Sequence, residues 1–259
     1  MIPANYHTHT LFCDGKNSPE EMILQAIDLG CPELGFSGHS YTAFDESYCM
    51  SQAGTQGYID TIRQLQEKYR DCIRIRLGIE LDYYSDVPTD QFEYVIGSVH
   101  YVKKDGCYLP VDESKQIQID NVNRFYHGDF YGFAEDYFQT VADLYSKTHC
   151  QIIGHFDLVK KFNGAGDLFD PQHPRYQAAM GMALDALLEA PVTMEVNTGG
   201  IARGYIDEPY PNKDILTPWL AAGKPIVYAS DCHSAEQLLA EYPVYQAHVK
   251  ACSPSQSLA

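Results

Sequence analysis

The sequence predicts an α/β fold in which parallel strands alternate with helices around a barrel. Three observations lead there. Short apolar runs alternate with helical patterns along the chain, the signature of βα units. Six segments carry metal-binding side chains at or just past the end of such a run: NYHTHTLFCD, LGFSGH, LGIE, VIGSVH, IIGH and VYASDCH. Parallel barrels place their chemistry at the C-terminal ends of their strands, and a length of 259 residues suits one such barrel.

The first strand is expected over Ile2–His7. Ser18 then has the character of an N-cap, with Pro19 at the first helical position and Glu21 at the third. The helix it starts places Met22, Ile23, Ala26 and Ile27 on one face up to about Leu29, and Gly30 stops it. A second strand fits Glu33–Ser37, followed by a loop rich in Ser, Tyr and Gly and a helix through Tyr58–Tyr69. Strands three and four are Ile73–Ile79 and Tyr94–Val99. From Asp112 to His149 no strand is evident, and Asn121–Tyr126 and Glu135–Lys147 read as helices. Gln151–Gly154 is a short fifth strand, Tyr176–Leu188 a helix, Pro191–Val196 a sixth strand, Asp214–Ala222 a helix and Pro225–Ser230 a seventh strand. Residues after Ser253 are polar and are expected to fray. No repeat, low-complexity block or linker divides the chain, so residues 1–259 read as one domain.

Composition narrows the function. No apolar run reaches membrane-spanning length and no positively charged start precedes an apolar stretch, so neither a membrane partner nor a secretory signal is expected. Eight cysteines without CxxC spacing read as reduced thiols of a cytoplasmic protein. Eighteen Lys and Arg against 35 Asp and Glu give a net charge of −17. That balance argues against a nucleic-acid partner, since neutralising a phosphate backbone needs a basic surface. It leaves room for a small phosphate ester, because bound cations reverse the field locally. Either a monomer or a small homo-oligomer is compatible with these features.

Nine residues are candidate metal ligands: His7, His9, Asp14, His39, Glu80, His100, His155, Asp231 and His233. His7 and His9 stand two apart, and in an extended chain such residues share one face; Asp231 and His233 repeat that spacing. Singly, each histidine has an ordinary structural explanation, and Asp14 before Gly15 resembles a turn aspartate. Together at one end of a barrel they point to a shared metal centre. Glu80 can bridge two metals through its two oxygens, which a neutral imidazole cannot do; Asp82 and Glu195 are alternatives for that place. A His/carboxylate shell without thiolate suits Zn, Mn or Fe and does not choose among them. His127, His149, His173 and His248 read as surface residues, with His127 a marginal candidate for the substrate region.

In order and spacing, HTHT (7–10), GHS (38–40), GIE (78–80), GSVH (97–100), GHFD (154–157) and SDCH (230–233) resemble the PHP superfamily, the polymerase-and-histidinol-phosphatase fold, over nearly the whole chain. With Asp14 present, the chain looks most like the monofunctional histidinol-phosphate phosphatase branch. The resemblance implies a distorted (β/α)7 TIM-like barrel with three divalent ions. One would sit on His7, His9, Glu80 and Asp231, a second on Glu80, His100 and His155, and a third on Asp14, His39 and His233. It also implies hydrolysis of a small phosphomonoester, L-histidinol phosphate, in histidine biosynthesis.

Clustered dications acidify bound water and neutralise ester oxygens, so the expected reaction is in-line attack of a metal-bridging hydroxide on phosphorus. Fixed cations should meet the charge on the phosphoryl group. Lys160, five residues past His155, and Arg203, six past Asn197, are the candidates, with Lys161 close behind and Asn197 itself beside the substrate. Asp231 or His233 is the expected proton source for the leaving alkoxide, with a metal-bound water as the alternative. The loop Ser40–Gly57, with Tyr41, Phe44 and Tyr48, is expected to close over the substrate. Two other functions fit the same residues: a broad phosphoesterase acting on nucleotides or sugar phosphates, and a metal-binding module without catalysis.

Overall fold

The computed structural model describes residues 2–254; residues 255–259 of the expected frayed tail lie outside it. Its strands are β1 (Glu33–Phe36), β2 (Arg74–Asp82), β3 (Tyr94–Ser98), β4 (Tyr101–Lys104), β5 (Cys107–Pro110), β6 (Ile152–Ile153), β7 (Thr193–Asn197) and β8 (Ile226–Ala229). β1, β2, β3, β6, β7 and β8 form one parallel sheet in that order, and β4 and β5 pair as an antiparallel hairpin. The helices are α1 (Pro19–Asp28), α2 (Gln52–Lys68), α3 (Lys115–Tyr126), α4 (Phe130–Thr148), α5 (Pro174–Leu188), α6 (Gly199–Ala202), α7 (Lys213–Ala221) and α8 (Tyr242–Cys252).

The sheet curls because the N-terminal segment touches both of its edges. Gly35 N–H donates to Asn5 O at 2.8 Å, Ser37 N–H to Thr8 O at 3.1 Å, and His9 N–H to Cys232 O at 2.9 Å. Residues 5–9 therefore take the seventh place in the ring. The expected first strand Ile2–His7 is not regular, however; it makes only isolated parallel bridges, Asn5 with Leu34 and Thr8 with Cys232. Pro3 has no N–H for a ladder, and the Asn5 side chain is committed across the ring to Ser230 Oγ and Leu238 O.

Local chemistry explains the other elements. Ser18 and Glu21 form the expected capping box at α1, with Ser18 N–H to Glu21 Oε2 at 2.7 Å, and Gly30 follows the helix at φ 73°. α2 starts earlier than the expected Tyr58, at the Ser51 N-cap, because its first turn is polar and shows no periodicity. The unforeseen β4–β5 hairpin turns on Asp105 and Gly106 at φ 50° and 80°, the positive angles that a tight two-residue hairpin turn requires. α8 was also unforeseen; among its described residues only Cys252 is buried.

Along β3, alternate residues face the barrel interior. Tyr94 and Ile96 pack there with Ile152, Tyr6 and Val227. The Tyr94 ring crosses β2 so closely that a Cβ on Gly78 would sit 2.2 Å from it, and its hydroxyl donates to Tyr6 O at 2.6 Å. Next on the same face comes Ser98, then His100. The barrel thus has an apolar floor and a polar mouth, set by period-two alternation. Residues of the opposite face, including Ile79, Leu81 and Val95, pack against Tyr58, Phe133, Phe138 and the other core residues of the surrounding helices. All eight cysteines are free, and no described helix is long and apolar enough to cross a membrane.

Candidate metal centre

All nine expected ligands meet at the C-terminal mouth of the ring. His7, His9, His39, Glu80, His100, His155 and Asp231 are buried there, and Asp14 and His233 are partly exposed at the rim. Glu80, on the inward face of β2, is the hub. Its Oε2 lies 2.8 Å from His39 Nδ1, 3.2 Å from His7 Nε2 and 3.6 Å from His9 Nε2. Its Oε1 lies 3.0 Å from His155 Nε2 and 3.3 Å from His100 Nε2. Asp231 Oδ1 stands 3.2 Å from His9 Nε2 and 3.6 Å from His7 Nε2. Asp14 faces His233 Nε2 at 3.1 Å, His9 Nδ1 at 3.7 Å and His39 Nε2 at 3.8 Å.

Asp231 reaches the centre by a route that differs from the extended-chain argument. It has φ 49°, a left-handed conformation uncommon outside glycine and concentrated at functional sites. The chain leaves the line of β8 there, and Asp231 and His233 converge through a turn and not through strand alternation.

Buried carboxylates orient the histidines from behind. Glu195 Oε2 accepts a hydrogen bond from His7 Nδ1 at 2.8 Å, which turns Nε2 toward Glu80 and Asp231. Glu195 Oε1 accepts from His155 N–H at 2.7 Å and from Asn197 Nδ2 at 2.8 Å. Asp82 Oδ2 stands 3.3 Å from His100 Nδ1 and turns its Nε2 to Glu80. Neither carboxylate shares the central place of Glu80 among the histidines; each bonds a histidine from behind, an arrangement that supports metal ligands. Glu195→Ala is therefore expected to weaken metal binding by about 10- to 100-fold while the protein stays folded, read from metal retention against a competing chelator.

The donor set fits a divalent metal. His7 Nε2, His9 Nε2 and Glu80 Oε2 are buried without a hydrogen-bond partner of good geometry, and such atoms in a native fold need an explanation. Four overlapping groups of histidine and carboxylate atoms each lie within 4.8 Å of one another: His7, Glu80 and His155; His7, His9 and Asp231; His39, Glu80 and His100; and His9, Asp14, His39 and His233. The electrostatics call for added positive charge. Burial opposes ionisation of Glu80, but His7, His39 and His100 hold it well below the usual carboxylate range. Burial likewise opposes charge on Asp231, and Arg203 and His7 outweigh it. His9, pressed by burial and by His233 and His39, is lowered to about 3, so its ring is neutral, the form that can donate to a metal. Cys13 Sγ lies 3.6 Å from His9 Nδ1, but burial pushes its thiol up to about 12, which leaves a nitrogen and oxygen site.

Above this floor opens a cavity of about 350 Å³, walled by the 40–51 loop, the hairpin and the segments after β6 and β7. Arg203 and Lys161 line it. Arg203 donates to Asp231 Oδ2 and to Asp231 O, both at 2.9 Å. Lys161 Nζ donates to Asp112 O at 2.8 Å and Asp112 Oδ2 at 3.1 Å. Two expected substrate contacts fall elsewhere. Lys160 turns away from the cavity and pairs with the fully buried Asp157 at 2.7 Å, because the short 3₁₀ turn at 158–160 points consecutive lysines in different directions. Asn197 is fully buried and spends its amide on Glu195 and Asp231, so it steadies ligands behind the cavity. His127 is no substrate contact either; it caps α3 in the left-handed conformation. Of the loop aromatics, Tyr48 lines the cavity with its ring 4.9 Å from that of His39, Phe44 stacks on Tyr108 of the hairpin at 3.7 Å, and Tyr41 pairs with Glu46. Asp45, Ser47, Tyr101, Asp112, Glu113 and Tyr205 also line the cavity; sequence spacing carries no signal for them, since they come from loops and the unforeseen hairpin.

The family model described as "PHP domain" matches residues 5–199. The chain belongs to the PHP domain family. A relative from Deinococcus radiodurans, named probable histidinol-phosphatase, is 30% identical over 240 residues, covering 88% of this chain and 85% of that one. The histidinol-phosphatase of Bacillus subtilis is 25% identical over 262 residues, covering 91% and 95%. Among solved structures, a candidate histidinol phosphatase from Listeria monocytogenes superposes with a TM-score of 0.81 at 23% identity, over 93% of this chain and 99% of that one. The histidinol phosphate phosphatase of Lactococcus lactis, in complex with zinc, L-histidinol and phosphate, gives 0.67 at 19% identity, over 96% and 93%. The fold is thus the distorted TIM-like α/β barrel of these PHP structures.

Proposed function

We propose that this chain is a metal-dependent phosphomonoesterase that cleaves L-histidinol phosphate to L-histidinol and phosphate in histidine biosynthesis, as one cytoplasmic PHP domain. The observation that carries the reading is the convergence of nine histidine and carboxylate ligands beneath a small cavity that also presents Arg203 and Lys161. The histidinol-phosphatase relatives support the choice of ester.

In this reading three divalent ions, Zn, Mn or Fe, would be held by His7, His9, Glu80 and Asp231, by Glu80, His100 and His155, and by Asp14, His39 and His233. Bound there, such ions acidify water and neutralise the ester's anionic oxygens. The chain's own residues do the rest. Glu80 presents one oxygen to His100 and His155 and the other to His7, His9 and His39, so a single side chain sets the spacing of the donors. Arg203 binds the phosphoryl group from beside Asp231 and keeps that carboxylate ionised. Lys161 meets the same group from the opposite arm of the cavity wall. Both cations are fixed by protein oxygens before substrate arrives, so little reorganisation accompanies charge development.

The two neighbouring lysines separate binding from stability. Lys161→Ala is expected to raise KM for phosphomonoesters by about tenfold or more, as loss of one charge-assisted contact does. Lys160→Ala is expected to leave KM near its starting value and to cost about 3–5 kcal/mol of stability, because it leaves the buried Asp157 unpaired. Steady-state kinetics and thermal melts of both variants check this. The reading itself is tested by phosphate release from L-histidinol phosphate against a panel of nucleotide and sugar phosphates. Preference for histidinol phosphate supports it, and turnover confined to the panel contradicts it.

A further inference from the structure

Arg203 reaches the cavity on a loop whose two ends are tied together. Residues 198–209 leave the end of β7 and return to it: Asn197 N–H donates to Tyr210 O at 2.6 Å and Tyr210 N–H to Asn197 O at 3.0 Å. Between these ties the chain packs closely on itself. A Cβ on Gly200 would meet Ile206 and Tyr210 within 2.8 Å, and one on Gly199 would lie 2.8 Å from Arg203 Nη2. The loop has little room to shift internally, so Arg203 stands where the neck of the loop puts it.

That neck is braced by an ion pair that lies outside the metal ligand set. Lys160 Nζ pairs with Asp157 Oδ2 at 2.7 Å. The same oxygen accepts from Asn212 N–H at 3.2 Å. The same ammonium donates to Pro209 O at 3.4 Å and stands 5.4 Å from the centre of the Tyr210 ring. Each partner thus holds one side of Tyr210, and Asp157 and Tyr210 are both buried. A buried ion pair adds little stability over apolar residues of similar volume, so stability alone does not account for one here.

We propose that Asp157 and Lys160 are positioning residues, which hold the neck of the 198–209 loop and so fix Arg203 against the phosphoryl group. Neither lines the cavity. They act through the backbone, from Pro209 and Asn212 across Tyr210 to β7 and along the loop to Arg203. Asp231 holds the guanidinium end of Arg203, and the brace holds its main chain. With both ends fixed the charge is in place before the reaction, and a displacement of about 1 Å at such a group costs up to about a hundredfold in rate. A loosened neck lowers kcat and spares KM, since Lys161 and the metal ligands keep their own contacts. This inference rests on the phosphomonoesterase reading above.

The test replaces the ion pair by apolar residues, Asp157→Leu with Lys160→Met, so that no buried charge is orphaned and the fold is kept. kcat and KM for L-histidinol phosphate are measured on the metal-loaded protein, with Arg203 present and in an Arg203→Ala background. With Arg203 present, kcat is expected to fall about tenfold while KM changes less than about twofold. In the Arg203→Ala background the same replacement is expected to change kcat less than about twofold, because its effect runs through the missing side chain. Asp157→Asn keeps an acceptor for Asn212 N–H and only weakens the pair; it is expected to show a smaller loss of the same kind, and it carries the test if the double replacement does not fold. An unchanged kcat, an equal loss in both backgrounds, or a loss of bound metal overturns the inference and leaves the phosphomonoesterase reading intact. Failure of that reading has a different signature: the wild type itself releases no phosphate from L-histidinol phosphate, and both claims then fall.

Discussion

Glu80→Ala is expected to abolish metal-dependent turnover, by at least about a thousandfold, and to strip the protein of most of its bound metal. Five histidines face the two oxygens of this one carboxylate at 2.8–3.6 Å, and no other carboxylate is placed to replace it. Asp82 is two residues along on the same face but is engaged by the backbone and ring of His100, and Glu195 lies behind His7. The barrel should persist, because the apolar layer of Tyr94, Ile96 and Ile152 lies beneath the site and does not involve Glu80. Metal analysis, a thermal melt and an activity assay on the same preparation check all three parts. An active Glu80→Ala protein with a full metal complement would show that the hub assignment is wrong.

Arg203→Ala is expected to lower kcat/KM by about 10²- to 10³-fold, or about 3–4 kcal/mol, the cost of losing one fixed charge aimed at developing charge. The metal content should stay close to that of the wild type. Asp231 keeps its contacts with His7 and His9 when the guanidinium is gone, and those contacts, not the arginine, define its place in the ligand set. Arg203 is nonetheless bonded to both the carboxylate and the carbonyl of Asp231, a coupling that sequence spacing does not reveal. Metal loss in parallel with activity would make Arg203 a support for Asp231 and not a partner of the phosphoryl group.

The sequence makes most of the candidate ligands legible because they follow an apolar run at or near a strand end, and strand ends share one mouth in a parallel barrel; Asp14, in a loop, has no such signal. The helix α1 is legible for a similarly local reason: Ser18, Pro19, Glu21 and Gly30 are start and stop signals that do not depend on the rest of the fold. What is not legible depends on contacts between distant segments. Residues 5–9 have strand-like composition, yet their pairing is limited to bridges on two different edges. The roles of Glu195 and Asp82 emerge only when β7 and β2 are set beside the histidines they orient. Lys160 and Lys161 are indistinguishable in sequence, and a single 3₁₀ turn decides which of them faces the cavity. The hairpin is a different case: Asp105–Gly106 is a strong two-residue turn signal, readable from the sequence, between strands too short to stand out.

The most direct test of the account is the metal content of the protein purified without chelator, measured by elemental analysis. The account predicts about three divalent ions per chain. A protein that is folded and holds less than about one, even after incubation with Zn, Mn or Fe, would contradict a shared metal centre built from these nine residues.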